Sequence, residues 1–270
     1  MTARMLLLAM TFAAFYAEAQ NKIPERVRFE TWENYAVDSD LTELGWTVAG
    51  GVSITSADQA KHSQSLVVEA SGEATIPFRE NESATVFVDA YYRPGVAETP
   101  FLIADTAAIG FVADGADAGV VAVWANSAWL LTECRIPVDA AGHSKIWLRI
   151  TARIDFLRER WDLYGNKRLL AADLPLSGAA QSLRELTFAG PVCVDELYVT
   201  GKNPMFDDAD SDGMHDAYEL AKGLDPGSHD RERDVNFDGM SNIADYAAHI
   251  TGRNALERGT VTREVWTGIW

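Results

Sequence analysis

Between Asp208 and Asp245 the chain reads DADSDGMHDAYE, then a short linker, then DVNFDGMSNIAD. Each dodecamer places oxygen-bearing side chains at positions 1, 3, 5, 9 and 12, with glycine at 6. In the first these are Asp208, Asp210, Asp212, Asp216 and Glu219 around Gly213. In the second they are Asp234, Asn236, Asp238, Asn242 and Asp245 around Gly239. Met214 and Met240, at position 7, would each add a backbone carbonyl. A calcium ion requires six to eight oxygens wrapped by a sharp turn, which is what this spacing supplies. Glycine permits the turn because no Cβ obstructs it. Two loops in tandem, each with glycine in register, predict two calcium ions; the plainer alternative is a solvated acidic linker. The first loop gathers five carboxylates and the second three, so the first is expected to hold its ion more tightly.

Short helices are expected to follow the loops, over 216–222 and 242–250, stopped by Gly223 and Gly252. Pro204 and Pro226 argue against long helices in front of either loop. The second loop with the following YAAHITG resembles a dockerin-type calcium repeat. The first, with Glu219 at position 12 and then LAKGLDP, is similar to the calcium repeats of bacterial secreted proteins, which are akin to thrombospondin type 3 repeats. The resemblance covers about 204–254. It implies two calcium ions and, for a true dockerin, a cohesin-like partner, although the two halves here are unequal.

The 270 residues carry a net charge of −17, and 201–250 alone holds twelve Asp and Glu against four Lys and Arg. Acidity is concentrated where cations would sit. With no basic stripe, nucleic acid is not expected as a partner. Arg4, the apolar run 5–15 and Ala17-Glu18-Ala19 have the pattern of a signal peptide over 1–19, cleaved near Ala19. That run is too short to span a bilayer, and no other stretch qualifies. A secreted protein is expected. Outside the cell, calcium sites of about 10⁻⁴–10⁻³ M would fill. In that compartment Cys134 and Cys193 could pair, or remain two separate buried thiols.

Residues 27–200 read as β structure. Eleven strand-like runs recur between turn signals, at 27–31, 46–49, 65–70, 84–93, 107–113, 119–126, 128–134, 145–155, 160–165, 185–188 and 192–200. The clearest is 145–155. Ile146, Leu148, Ile150, Ala152 and Ile154 face one way, towards the core. Trp147, Arg149, Thr151, Arg153 and Asp155 face the other, towards solvent or a ligand. The fold class expected is mainly β, a two-sheet antiparallel jelly-roll sandwich with a small α-helical calcium-loop module behind it. WDLYGN at 161–166 and VDELYV at 194–199 resemble the concanavalin A-like, laminin-G-type jelly roll. The resemblance implies lectin, adhesion, hydrolase or lyase functions, and a structural role for Asp195 and Glu196.

Catalytic spacing is not found. The E-x-D-x-x-E of the laminarinase-type hydrolases of this fold is missing, as are G-x-S-x-G and H-x-x-x-H. Asp155, Glu159 and Asp162 read as charge on an exposed hairpin, and Asp89 and Asp155 as isolated carboxylates. Candidate sugar-stacking aromatics are Tyr91, Trp124, Trp129 and Trp147; Trp124 and Trp129 would face each other across a two-residue turn at 126–127. The alternative is that these rings pack inside. The tail 255–270 ends in VTREVWTGIW, strand-like and faintly similar to the opening of a protective-antigen-type carbohydrate-binding module. The expected function is secreted, calcium-binding and non-catalytic, with polysaccharide recognition by the sandwich. The alternatives are a jelly-roll glycoside hydrolase or polysaccharide lyase, or a scaffold part docking to a cohesin-like protein.

Overall fold

The computed structural model describes residues 26–251, apart from 38, 79–82, 105–106, 126, 177 and 179. The expected signal segment and the tail 255–270 lie outside the described residues. Two antiparallel sheets face each other. Sheet A runs β13 (Arg168–Pro175), β12 (Arg160–Gly165), β11 (Leu148–Asp155), β6 (Thr85–Pro94), β15 (Val192–Thr200), β4 (Ser65–Val68) and β3 (Val52–Thr55). Sheet B runs β10 (Ala128–Pro137), β9 (Ala118–Ala125), β8 (Ala107–Ala113), β7 (Pro100–Ala104), β14 (Glu185–Ala189), β5 (Glu73–Pro77) and β2 (Thr47–Ala49). β1 (Arg26–Glu30) joins sheet A beside β4: β4 pairs with β15 at 192–194 and β1 at 197–200. Between them β15 bulges, shifting register between Asp195 and Tyr198, with Glu196 at φ +52°.

Period-2 alternation builds the core. Val86, Val88, Ala90 and Tyr92 of β6 and Leu148, Ile150, Ala152 and Ile154 of β11 point between the sheets. Trp32, Trp46, Phe188, Tyr92 and Phe101 join them, with Trp32 and Trp46 ring centroids 5.5 Å apart. Large apolar side chains removed from water on both inner faces are what hold two sheets together.

Fifteen strands are described rather than eleven, because β3, β5, β7 and β13 were not expected. The strand expected over 145–155 begins at Leu148; Ile146 is exposed and Trp147 half-buried ahead of it. Its second face is not open to solvent at the distal end: Thr151, Arg153 and Asp155 are all buried. Arg153 and Asp155 are met by the C-terminal segment, through Ser211 and His229, which carries helices α1 (Asp216–Lys222) and α2 (Asn242–Thr251). Gly223 stops α1 at φ +74°, its N–H reaching back to the Glu219 and Leu220 carbonyls. Met205, Met214, Tyr218, Ile243, Tyr246 and Ala247 of this segment form one apolar cluster with Tyr164, Leu169 and Ala172 of the sandwich. A small module that cannot enclose a core alone therefore borrows one side of it from sheet A.

Cys134 and Cys193 are free thiols on strands of opposite sheets, so of the two sequence readings the structure has the separate one. Burial raises both thiols, Cys193 to about 12, where Asp58 beside it adds to the effect.

Candidate metal centre

Both dodecamers fold to the same hydrogen-bonded loop. In loop 1 the position-1 carboxylate of Asp208 accepts from the N–H groups of Asp212 and Gly213, at 3.0 and 3.1 Å. In loop 2 Asp234 accepts from Asp238 and Gly239, at 3.1 and 2.9 Å. Position 3 accepts from the position-5 N–H in each (Asp212 to Asp210, Asp238 to Asn236, both 3.1 Å). Position 5 accepts from the position-7 N–H (Met214 to Asp212, 2.9 Å; Met240 to Asp238, 3.0 Å). Position 9 accepts from position 2, through Asp216 in one loop and Asn242 in the other. Gly213 and Gly239 lie at φ +95° and +90°, which L side chains rarely adopt.

Each loop thus spends part of its carboxylate oxygens on its own backbone and turns others inward. In loop 1 the inward ones have no partner. Asp210 Oδ2, Asp212 Oδ2 and both oxygens of Glu219 accept no hydrogen bond, and Glu219 is 0% exposed. Oxygens of Asp208, Asp210 and Asp212 come within 4.8 Å of one another, and so do those of Asp212, Glu219 and Asp230. Burial, reinforced by the neighbouring Asp212 charge, lifts Asp210 to about 7 and Glu219 to about 8. Burial also raises Asp208 and Asp212. Unpartnered buried carboxylates are costly. A hard divalent cation would satisfy them together, and an all-oxygen donor set is of the kind that suits calcium.

Loop 2 is more open. Asn236 Nδ2 donates to Asp245 Oδ2 at 2.8 Å and to Asp238 Oδ2 at 3.2 Å, while Asp245 Oδ1 accepts no hydrogen bond. Asn242 is buried, and its amide donates to the carbonyl and carboxylate of Asp230.

Asp230 was not singled out in the sequence. It lies in the linker between the loops, outside either dodecamer, and no spacing rule marks it. Arg231 was missed for the same reason. Its guanidinium, 2% exposed, donates from Nη1 to Asp162 Oδ2 and to the Asp212 carbonyl, both 2.6 Å. Its Nη2 donates to Asp162 Oδ1 at 2.8 Å and to Asp173 Oδ1 at 3.0 Å. Arg153 donates to the Ser211 carbonyl at 2.8 Å and to Asp162 and Asp155. Tyr164 Oη donates to the Gly213 carbonyl at 2.7 Å. Three consecutive carbonyls of loop 1 are therefore held by sandwich residues or by Arg231 bonded to one.

Asp155, Glu159 and Asp162 were expected as charge on an exposed hairpin; Glu159 is exposed, and the reading is corrected for Asp155 and Asp162. Both are buried; burial pushes their carboxyls up, but His229 and Arg153 at Asp155, and Arg231 and Arg153 at Asp162, outweigh it and hold them below the usual range. Asp89 is not isolated either. It accepts a bidentate pair from Arg149 and a bond from Thr151.

The candidate aromatics are spread apart. Trp124 and Trp129 are cross-strand partners with centroids 5.3 Å apart, as expected. Trp129 lies over Gly110, where a Cβ would come within 2.7 Å of the ring, and its Nε1 donates to the Glu98 carbonyl. Tyr91 is on sheet A, half-buried beside Arg149.

No family model matches the chain, and no curated protein matches it. Among solved structures it is similar to the botulinum neurotoxin serotype D/C binding domain, at 14% identity and TM-score 0.43, covering 66% of this chain and 49% of that one. It is also similar to domain 4 of an extracellular arabinanase from Geobacillus stearothermophilus solved with arabinotriose, at 13% identity and TM-score 0.39, covering 57% of this chain and 81% of that one. The chain spans about half the length of the toxin chains it matches.

Proposed function

We propose that this chain is an exported, non-catalytic calcium-binding protein whose sandwich recognises polysaccharide, with one calcium ion in each loop. The observation that carries the calcium reading is Glu219, fully buried among Asp208, Asp210, Asp212 and Asp230 with neither oxygen hydrogen-bonded. Loop 1 would use those side chains with the Met214 carbonyl, and Asp216 through its free oxygen or a water. Loop 2 would use Asp234, Asn236, Asp238, Asp245 and the Met240 carbonyl, with Asn242 bracing the loop. The 1–19 pattern supports export. A binding role is favoured over hydrolysis because Asp155 and Asp162, the acidic cluster of β11–β12, are tied to arginines under the module.

Calcium titration of the chain from residue 20, by calorimetry and terbium luminescence, tests this. Two sites are expected. Glu219→Gln should remove the tighter and Asp245→Asn the weaker. Fewer than two sites, or a tighter site lost with Asp245→Asn, overturns the assignment.

A further inference from the structure

Beside the docked module, the outer face of sheet A holds a cavity of about 500 Å3 lined by Lys61, His62, Asp89, Tyr91, Arg149, Glu196, Tyr198 and Pro204. That volume falls within the roughly 300–1,000 Å3 range of small-molecule sites. Its construction is specific. The β15 bulge turns Glu196 out at φ +52°, a conformation that costs energy in a non-glycine residue. Asp195, fully buried next to it, accepts the N–H groups of Ala60 and Lys61 at 3.0 and 2.7 Å and so fixes the loop carrying Lys61 and His62. Glu196 Oε1 lies 3.2 Å from His62 Nε2 but accepts no aligned hydrogen bond.

Counting His62 as neutral, Lys61 and Arg149 balance Asp89 and Glu196. Arg149 is ion-paired with Asp89, His62 Nε2 lies beside Glu196, and the Lys61 ammonium lies 5.5 Å over the Tyr91 ring. Adjacent donors and acceptors next to an aromatic ring suit a polyol that presents vicinal hydroxyls and an apolar C–H face. A chain of net charge −17 with no net cationic field in the pocket disfavours sulfated or uronic sugars. Lys61 is exposed, so its ammonium can leave the ring for solvent when a ligand stacks there.

One wall is tied to loop 1. Arg149 Nη2 donates to the Pro204 carbonyl at 3.0 Å. Asn203 accepts from the Met205 N–H and donates from Nδ2 to Asp208 Oδ2 at 2.9 Å. Asp208 is position 1 of the loop. We propose that this pocket is a neutral-saccharide site whose Pro204 wall is set by the cation of loop 1. The pocket deepens the polysaccharide reading above, and its coupling rests on the calcium reading.

The test uses the chain from residue 20 on an array of neutral, uronic and sulfated oligosaccharides, followed by calorimetry with the strongest neutral binder. Tyr91→Ala is expected to weaken binding about tenfold or more, as loss of the aromatic contact of a small site does. Glu196→Gln and the exposed Lys61→Ala, which guard against misfolding of the first variant, should also change affinity. Chelation should weaken binding about tenfold, within the usual range of coupling between sites. Binding only to acidic glycans, or a loss that follows Trp124→Ala rather than Tyr91→Ala, overturns the pocket. Binding unchanged by chelation, although terbium reports an occupied loop 1, overturns the coupling. If terbium reports no site at all, the calcium reading fails and the Tyr91 variant still judges the pocket.

Discussion

Arg231→Met isolates what holds the module on the sandwich. Arg231 spends Nη1 and Nη2 on four oxygens, two of them on Asp162, which is itself 0% exposed. Methionine fills the space but leaves Asp162 with the Arg153 Nη1 contact at 3.1 Å and the Asp173 N–H at 2.9 Å. It also strips the donor from the Asp212 carbonyl. Removing one partner of a buried ion pair costs about 3–5 kcal/mol, mainly through the charge left behind. For a chain of this size each kcal/mol shifts Tm by roughly 2–4 °C, so a fall of roughly 6–20 °C is expected where unfolding is cooperative. If the module opens by itself, the cost appears instead as faster proteolysis of 204–251 with the sandwich intact. Adding Asp162→Asn should recover part of the loss, because the stranded charge is then gone. Melting and limited proteolysis at saturating calcium read both quantities. An Arg231→Met protein within about 1 kcal/mol of the parent would refute the idea that this arginine holds the interface, since such a value is no more than an exposed pair contributes.

The glycines of the two loops should separate strain from docking. Gly213→Ala places Cβ 2.7 Å from Tyr164 Oη, whereas at Gly239 nothing lies within 4 Å; both incur positive-φ strain of about 1–3 kcal/mol, and only the first should also lose the Tyr164 bond. Equal melting shifts at saturating calcium would contradict this. In chelator, Asp210 and Glu219 titrate higher folded than unfolded, so the folded form binds more protons and stability should fall as pH rises from about 5 to 8. Asp155 and Asp162 stay ionised in both states across that window. Calcium should reverse the trend, because it binds the deprotonated loop and releases protons; melts at pH 5 and pH 8 with and without chelator decide it. Cys193, with its thiol pushed up to about 12, should resist iodoacetamide at pH 8 in the folded protein. Rapid alkylation there would contradict the raised thiol, and an intact mass showing a disulfide would contradict the separate thiols.

Strong alternation made much of the sandwich readable. β8, β12 and β15 have the bounds that their patterns predict, and α1 runs between Asp216 and the stop at Gly223. β5 (EATIP) escaped because it is short and bounded by Glu73 and Pro77, and β13 (RLLAADLP) because it has no β-branched residue; their partners across the sheet make them strands. Alternation along β11 assigned its two faces but could not say what covers the second. Arg153, Asp155 and Asp162 look like surface residues by type. Their burial depends on Arg231, 69 residues beyond Asp162, and on His229, and no local pattern carries that. The loop conformation was legible because acidic side chains at fixed spacing around a glycine fold back on the loop's own N–H groups. Asp230 obeys no such spacing, since it approaches Glu219 through the path of the linker.

The docking face written in arginine and aspartate bears on how the protein is made. During synthesis the strands up to Thr200 emerge before the two acidic loops exist, and sheet A must wait with Arg153, Asp155 and Asp162 uncovered. An apolar face of that kind would be adhesive while the chain is unfinished. The charged part, Arg153 with Asp155 and Asp162, stays hydrated and mutually neutralised, and leaves only the small apolar patch of Tyr164, Leu169 and Ala172 bare. Burial comes only when Arg231 arrives, and with it the three loop carbonyls that close the joint. Closure of the joint thereby waits for the segment that follows the sandwich.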